Sequence, residues 1–197
     1  MHSRRRVLAL AAAAVAGCSG TDDTEDATGT SASGSDDASS TDENGLAVTT
    51  GAFADGGSIP ERYTFDGADV SPPFTFERIP SGADTVAVRC IDGDAGGFVH
   101  WLCWNVPADR DGLPEGVPQA GTVSKLDGAQ QGTNGFGELG YRGPKPPAGA
   151  GPHTYTFTFF AVDGSLDLDP GADLSAFGDA LEGHVVGEVV YSGRYER

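Results

Sequence analysis

The sequence predicts a mostly β domain, a sandwich or barrel with one clear helix, and two observations carry that reading. Short runs rich in Val, Thr, Phe and Tyr recur between Gly- and Pro-containing turns, as in all-β domains. Within one of them, "TYTFTF" at residues 154–159, alternation is plain: Tyr155, Phe157 and Phe159 point one way and the threonines the other. The length, 197 residues, suits one domain plus accessories, and a hydrophobic content of 38% is enough for one core.

The chain opens with accessories. Arg4, Arg5 and Arg6 precede "VLALAAAAVAG" and then Cys18. A basic start, a short apolar stretch and small residues before a boundary make residues 1–17 a signal peptide. The apolar stretch is too short to span a bilayer, which takes ~20 residues. The arginines after Ser3 suggest the twin-arginine export type. The Ala-Gly-Cys ending resembles a lipobox, in which Cys18 would be lipidated and hold the protein on the outer face of the membrane; an ordinary cleavage site beside a chance cysteine is the alternative. Apart from Cys18 and Asn44, residues 18–45 are Ser, Thr, Gly, Ala and acid, with no aromatic residue and no Lys or Arg. Such a segment buries too little apolar surface to offset its ordering entropy, and its expected role is a disordered, charge-extended tether.

The domain is expected over residues 46–197. Its β-like runs are "LAVTTGAF", "RYTFDG", "PFTFERIPSG", "TVAVRCID", "FVHWLCWNVP", "HTYTFTFFAVDG" and "HVVGEVVYSGRY". One helix stands out in "DLSAFGDALEG". Asp173 is its N-cap, Leu174, Phe177 and Leu181 form its apolar face, and Gly183 ends it. Residues 109–151 have no strong period. The part "GTNGFGELGYRGPKPPAGAGP" holds seven glycines and four prolines, which argues against regular structure. So long a loop in a compact domain is usually functional, and Phe136 and Tyr141 offer it apolar anchors. Cys90 and Cys103 could form a hairpin disulfide, though two small buried hydrophobes is the favoured reading.

The net charge of −17 argues against nucleic-acid binding and against attraction to an anionic membrane surface, both of which need Lys and Arg. An acidic surface of this strength points to a high-salt host, with an ordinary acidic exported protein as the alternative.

Residues 92–107, "DGDAGGFVHWLCWNVP", combine two carboxylates, a glycine-rich loop and a histidine at the head of an apolar run. A calcium loop beginning Asp92-x-Asp94 would need an oxygen ligand where Gly96 stands and a glutamate where Cys103 stands, so the pattern fails. His100 and Cys103 are spaced to opposite faces of a strand, which disfavours zinc. No G-x-S-x-G elbow is present, and His100, His153 and His184 lack a neighbouring nucleophile, although a triad built from distant residues stays open. An anion pocket fits better. His100 and His153 each head a strand after a glycine-rich loop, and Tyr155 shares the face of His153. Imidazole, phenol and loop N–H groups suit a small anion, with Asp92 placed to hold a histidine protonated.

These motifs resemble the phosphatidylethanolamine-binding protein family, which includes Raf kinase inhibitor protein, and the likeness is closer to its bacterial and archaeal members. "FDGADVSPPFTF", "DGDAGGFVHWLCWNVP", "GTNGFGELGYRGPKPPAGAGPHTYTFTFFAVD" and "ALEGHVVGEVVYSGRY" follow the family's order and spacing. The resemblance implies a mostly β fold, a Greek-key β-sandwich with one or two short helices. It also implies a small-anion cavity formed by Asp92, His100, Gly143 with Pro144, His153 and Tyr155, with His100 turned inward, Asp92 as its electrostatic companion and Trp101 on the opposite face. The sequence departs from the family at Gly93 and Gly96, where relatives have proline, and at Gly135, Arg142 and Thr154. The expected protein is a non-enzyme without cofactor or metal. It binds phosphate or a phosphorylated headgroup and meets the membrane only through its lipid anchor. The alternatives are an inhibitor or regulator of a protease or kinase acting through the pocket rim, and an uncharacterised hydrolase.

Overall fold

The computed structural model describes residues 45–197. The expected signal peptide, Cys18 and nearly all of the tether lie outside the described residues. Four long strands carry the fold: β4 (Thr85–Asp92), β5 (Phe98–Pro107), β9 (His153–Val162) and β10 (Val185–Tyr195). Three of them, β4, β5 and β9, alternate between two apolar layers. Val86, Val88 and Cys90 of β4, Trp101 and Cys103 of β5, and Tyr155, Phe157 and Phe159 of β9 enter the main core. The residues between them, Ala87, Leu102, Trp104 and Phe160, enter a second layer on the other face.

That second layer is closed by α1 (Leu174–Leu181), the helix read from the sequence. Asp173 caps it, its side chain accepting from the Ala176 N–H at 3.0 Å. Phe177 and Leu181 are buried, and Phe177 packs on Trp104 and Phe160 with ring centroids 6.0 and 6.2 Å apart.

The remaining strands are short: β1 (Ala47–Thr49), β2 (Gly57–Ser58), β3 (Phe74–Arg78), β6 (Gly112–Leu113), β7 (Thr122–Val123) and β8 (Ala129–Gln131). They make two sheets, β1-β3-β6 and β2-β10-β9-β4-β5-β8-β7. The chain leaves the β4–β5 hairpin, passes through β6, β7 and β8, and returns as β9 on the other side of β4. That return beside an earlier strand is the Greek-key path of a sandwich. The main core lies against the inner face of the large sheet, with Phe74 and Phe76 of β3 packing on Phe157 and Phe159.

Two expectations are corrected. "RYTFDG" is not a strand: Glu61–Tyr63 form a 3-10 turn, and the segment packs against residues 143–144 instead of joining a sheet ladder. Residues 109–151 hold three short strands, all before the glycine-rich part that begins at residue 132, and the last of them is pinned by its side chains. Gln131, fully buried on β8, accepts from the Trp101 indole N–H at 2.7 Å and donates to the carbonyls of Pro118 and Ala120. Cys90 and Cys103 are free, buried and not opposite one another, since Cys90 faces Trp101 and Cys103 faces Val88.

Candidate functional site

A β-bulge places His100. Across the β4–β5 ladder Cys90 pairs with Trp101 and Ile91 with Val99, so His100 is the extra residue. Alternation breaks there, and His100 and Trp101 both turn inward. Trp101 packs on Tyr141, ring centroids 5.7 Å apart, and His100 on Tyr155 at 5.1 Å. The expectation that Trp101 faces away from His100 is therefore wrong, because strict period two does not cross a bulge.

His100 is 2% exposed. Its Nδ1 lies 2.7 Å from the Arg142 carbonyl oxygen, and its own carbonyl accepts from the Arg142 N–H at 2.9 Å. A carbonyl only accepts, so Nδ1 carries the proton and donates. With Nδ1 protonated, Nε2 of the neutral ring is an acceptor. Burial lowers the ring's pKa below 6.5, against the opposing pull of the Arg142 carbonyl and the Asp92 charge.

Asp92 closes β4 and is 3% exposed. Its Oδ1 accepts from the N–H groups of Asp94 and Ala95 at 3.0 and 3.1 Å, and its Oδ2 lies 2.7 Å from His153 Nδ1. The carboxylate expected to serve His100 is thus bonded to His153, and it touches His100 only through its field. Gly96 has φ +68°, which proline cannot adopt.

Tyr155 stands opposite Asp92 across the β4–β9 ladder. Its hydroxyl is buried and makes no hydrogen bond of normal geometry, with the Asp92 carboxylate close enough to act on it. Burial first, and then the Asp92 charge, push the phenol well above its ordinary pKa, so it stays an O–H donor.

Gly143 and Pro144 approach the chain at Tyr63 and Thr64. A Cβ on Gly143 would lie 2.5 Å from the Tyr63 carbonyl oxygen and 2.6 Å from Thr64 Cα. The Phe65 N–H donates to the Pro144 carbonyl at 3.0 Å, and the Gly143 N–H to Asp69 Oδ1 at 2.7 Å. All six expected residues except Gly143 and Pro144 lie on the facing ends of β4, β5 and β9, and those two are joined to His100 through Arg142. His184 is elsewhere, paired with Asp163 at the far end of β9.

Several residues that sequence reasoning did not place in the site surround it. Phe98 and Phe136 pack on His100 at 5.3 and 5.8 Å, and Phe65 stacks on Phe136 at 6.2 Å. Arg142 lies over Phe65 at 4.9 Å and is ion-paired with Asp69 and Glu138, both at 3.2 Å. Lys145 Nζ sits 3.5 Å from the Phe65 ring centroid. Phe136 and Arg142 were visible as an apolar anchor and a departure from the family, but nothing local marks Phe65 or Asp69 as their neighbours. Among the described residues no group of three or more His, Cys, Asp or Glu side chains is placed to hold a metal ion.

Comparison with known proteins bears on this arrangement. The phosphatidylethanolamine-binding protein family profile matches residues 49–196. The chain belongs to that family. Phosphatidylethanolamine-binding proteins are generally binding or regulatory proteins rather than enzymes. A relative from Methanothermobacter thermautotrophicus, named UPF0098 protein, is 47% identical over 152 residues, 76% of this chain and 98% of its own. A Mycobacterium tuberculosis protein named as a candidate lipoprotein is 34% identical over 153 residues, 77% of this chain and 72% of its own. The solved structure of YbcL from Escherichia coli, described as a member of the mammalian PEBP family, superposes with TM-score 0.72 at 27% identity, covering 77% of this chain and 98% of that one.

Proposed function

We propose that this phosphatidylethanolamine-binding protein is an exported, lipid-anchored binding protein whose ligand is phosphate or a phosphorylated headgroup, and that it is not an enzyme. The ligand site is Asp92, His100, Gly143, Pro144, His153 and Tyr155. One observation carries the reading: a buried Tyr155 hydroxyl has no hydrogen-bond partner, and its ring packs on that of His100. Buried polar atoms are rarely left unpaired, and one at the facing ends of β4, β5 and β9 favours a ligand as the missing partner. The test is calorimetric titration with inorganic phosphate at fixed KCl. His100→Ala and His153→Ala should each weaken binding roughly ten- to a hundred-fold, the worth of one hydrogen bond to a charged group. Unchanged affinity in both variants rejects the site.

Residues 1–17 act as a twin-arginine export signal, Cys18 as the lipidation site on the outer face and residues 18–45 as the tether to a domain over 46–197. The Mycobacterium tuberculosis relative named as a candidate lipoprotein supports this reading. Cys18→Ser should release the protein or leave it unprocessed, and a variant that stays membrane-bound at mature size rejects it. The acidic surface fits a high-salt host.

A second reading, inhibition or regulation of a protease or kinase through the rim, has its own support. Phe136 and Leu139, 36% and 38% exposed, lie on the loop beside His100. Recovery of one defined envelope protein by the wild type and not by Phe136→Ser would favour it.

A further inference from the structure

The site is poor in what a fully ionised anion needs. Inside it, His100 offers a lone pair rather than an N–H, because its single ring proton is given to the Arg142 carbonyl. Asp92 adds a buried negative charge. The nearby cations are engaged: Arg142 by Asp69 and Glu138, Lys145 over Phe65. His153 donates Nδ1–H to Asp92, leaving Nε2 a second lone pair whenever its ring is neutral. The assured side-chain donor is the Tyr155 hydroxyl, which is unpartnered. An oxyanion that retains a proton matches this set. Its O–H points at His100 Nε2 or Asp92, and another of its oxygens accepts from Tyr155. An oxyanion without a proton sets oxygen lone pairs against Nε2 and the Asp92 carboxylate.

We propose that the site selects a protonated oxyanion, the hydrogen-phosphate form of phosphate or of a phosphate monoester, over one of the same shape and charge that carries no proton, such as a sulfate ester. This rests on the oxyanion reading above. It follows from His100 being tied through Nδ1 to a backbone carbonyl, which leaves its other ring nitrogen as an acceptor. A site built to accept a hydrogen bond rejects an analogue that cannot donate one, because its own buried group is left unpaired.

The charged and titratable groups around His100 are Asp92 from β4, His153 and Tyr155 from β9, and Asp69, Asp94, Glu138, Arg142 and Lys145 from the flanking loops. Any of these could give binding a pH dependence, so the test must separate the ligand's titration from the protein's. Methyl phosphate and methyl sulfate make the first comparison, because at pH 5.5 they carry the same charge and differ by one proton. Methylphosphonate makes the second, because it loses its last proton at higher pH than methyl phosphate.

Calorimetric titration of the wild-type protein at fixed KCl, from pH 5.5 to 8.5, is the experiment. Methyl phosphate should bind roughly ten-fold or more tightly than methyl sulfate at pH 5.5. Its affinity should fall as pH rises through ~6, the second ionisation of a phosphate monoester. With methylphosphonate the fall should move upward. His100→Gln, whose amide can donate as well as accept, should narrow the phosphate-to-sulfate ratio. Equal binding of methyl sulfate, or one shared midpoint for both phosphorus ligands, overturns this inference and leaves the oxyanion site standing. No binding of any of the three ligands at any pH overturns both.

Discussion

Tyr155→Phe should improve the fold and damage the function. The Tyr155 ring is fully buried in the main core, and phenylalanine keeps its packing. The hydroxyl alone is lost, and in the free protein it is a buried polar atom with no partner. Leaving such a group unpaired costs about 1–3 kcal/mol, so its removal should stabilise by about 1–2 kcal/mol. For a chain of this size each kcal/mol moves the melting temperature by about 2–4 °C, which gives a rise of roughly 2–8 °C without ligand. Binding should move the other way. A hydrogen bond to a charged ligand is worth about 1.5–3 kcal/mol, so affinity for methyl phosphate should drop roughly ten- to a hundred-fold. Thermal unfolding in phosphate-free buffer and calorimetric titration read the two effects separately. A lower melting temperature would mean that the hydroxyl holds the fold together. An unchanged affinity would mean that the ligand does not reach it. Either result refutes the argument.

Other perturbations test other parts of the structure. Gly143→Ala places a methyl group within 2.5 Å of the Tyr63 carbonyl and 2.6 Å of Thr64 Cα, backbone that cannot rotate away. The contact between Phe65 and Pro144 should open at a cost of about 2–4 kcal/mol, a fall of roughly 4–16 °C in melting temperature, and a fall under a degree would reject the close approach. His100 should make the fold acid-sensitive. Its folded pKa lies below 6.5, so the unfolded chain binds the proton first as pH falls. Stability from this group is therefore full above ~6.5, declines below that, and levels off under the folded pKa. Urea midpoints at pH 7.5 and 5.5 should differ less in His100→Gln than in the wild type; an equal difference removes the claim. From residue 46 onward the chain has 21 acidic residues against nine basic ones. Their repulsion is screened within about 3 Å at 1 M salt but about 10 Å at 0.1 M. Melting temperature should therefore rise from low to molar KCl, and a flat profile rejects the high-salt reading.

The sequence alone determined which stretches become the long strands and the helix. The alternation of Tyr155, Phe157 and Phe159 names a buried face wherever the strand lands, and Asp173 caps its helix through an atom three residues away. These are local signals, and local geometry decides them. The motifs at residues 92–107 and 132–163 likewise named six residues by type and order. What they do to one another was decided only in three dimensions. Asp92 bonds His153, 61 positions away, rather than His100, eight positions away, because β9 pairs directly with β4 and brings residue 153 to its end. The turn of His100 toward Tyr155 depends on a bulge, one unpaired residue in a ladder, which period-two reasoning steps over. Phe65 was assigned to a strand and instead braces Arg142 and Lys145, because its neighbours Tyr63 and Thr64 lie where only a glycine at 143 lets two backbones touch. Hydrophobic pattern tells a side chain which face to take. It carries no information about which distant segment will be there to meet it, and that choice fixes which nitrogen of His100 bears the proton.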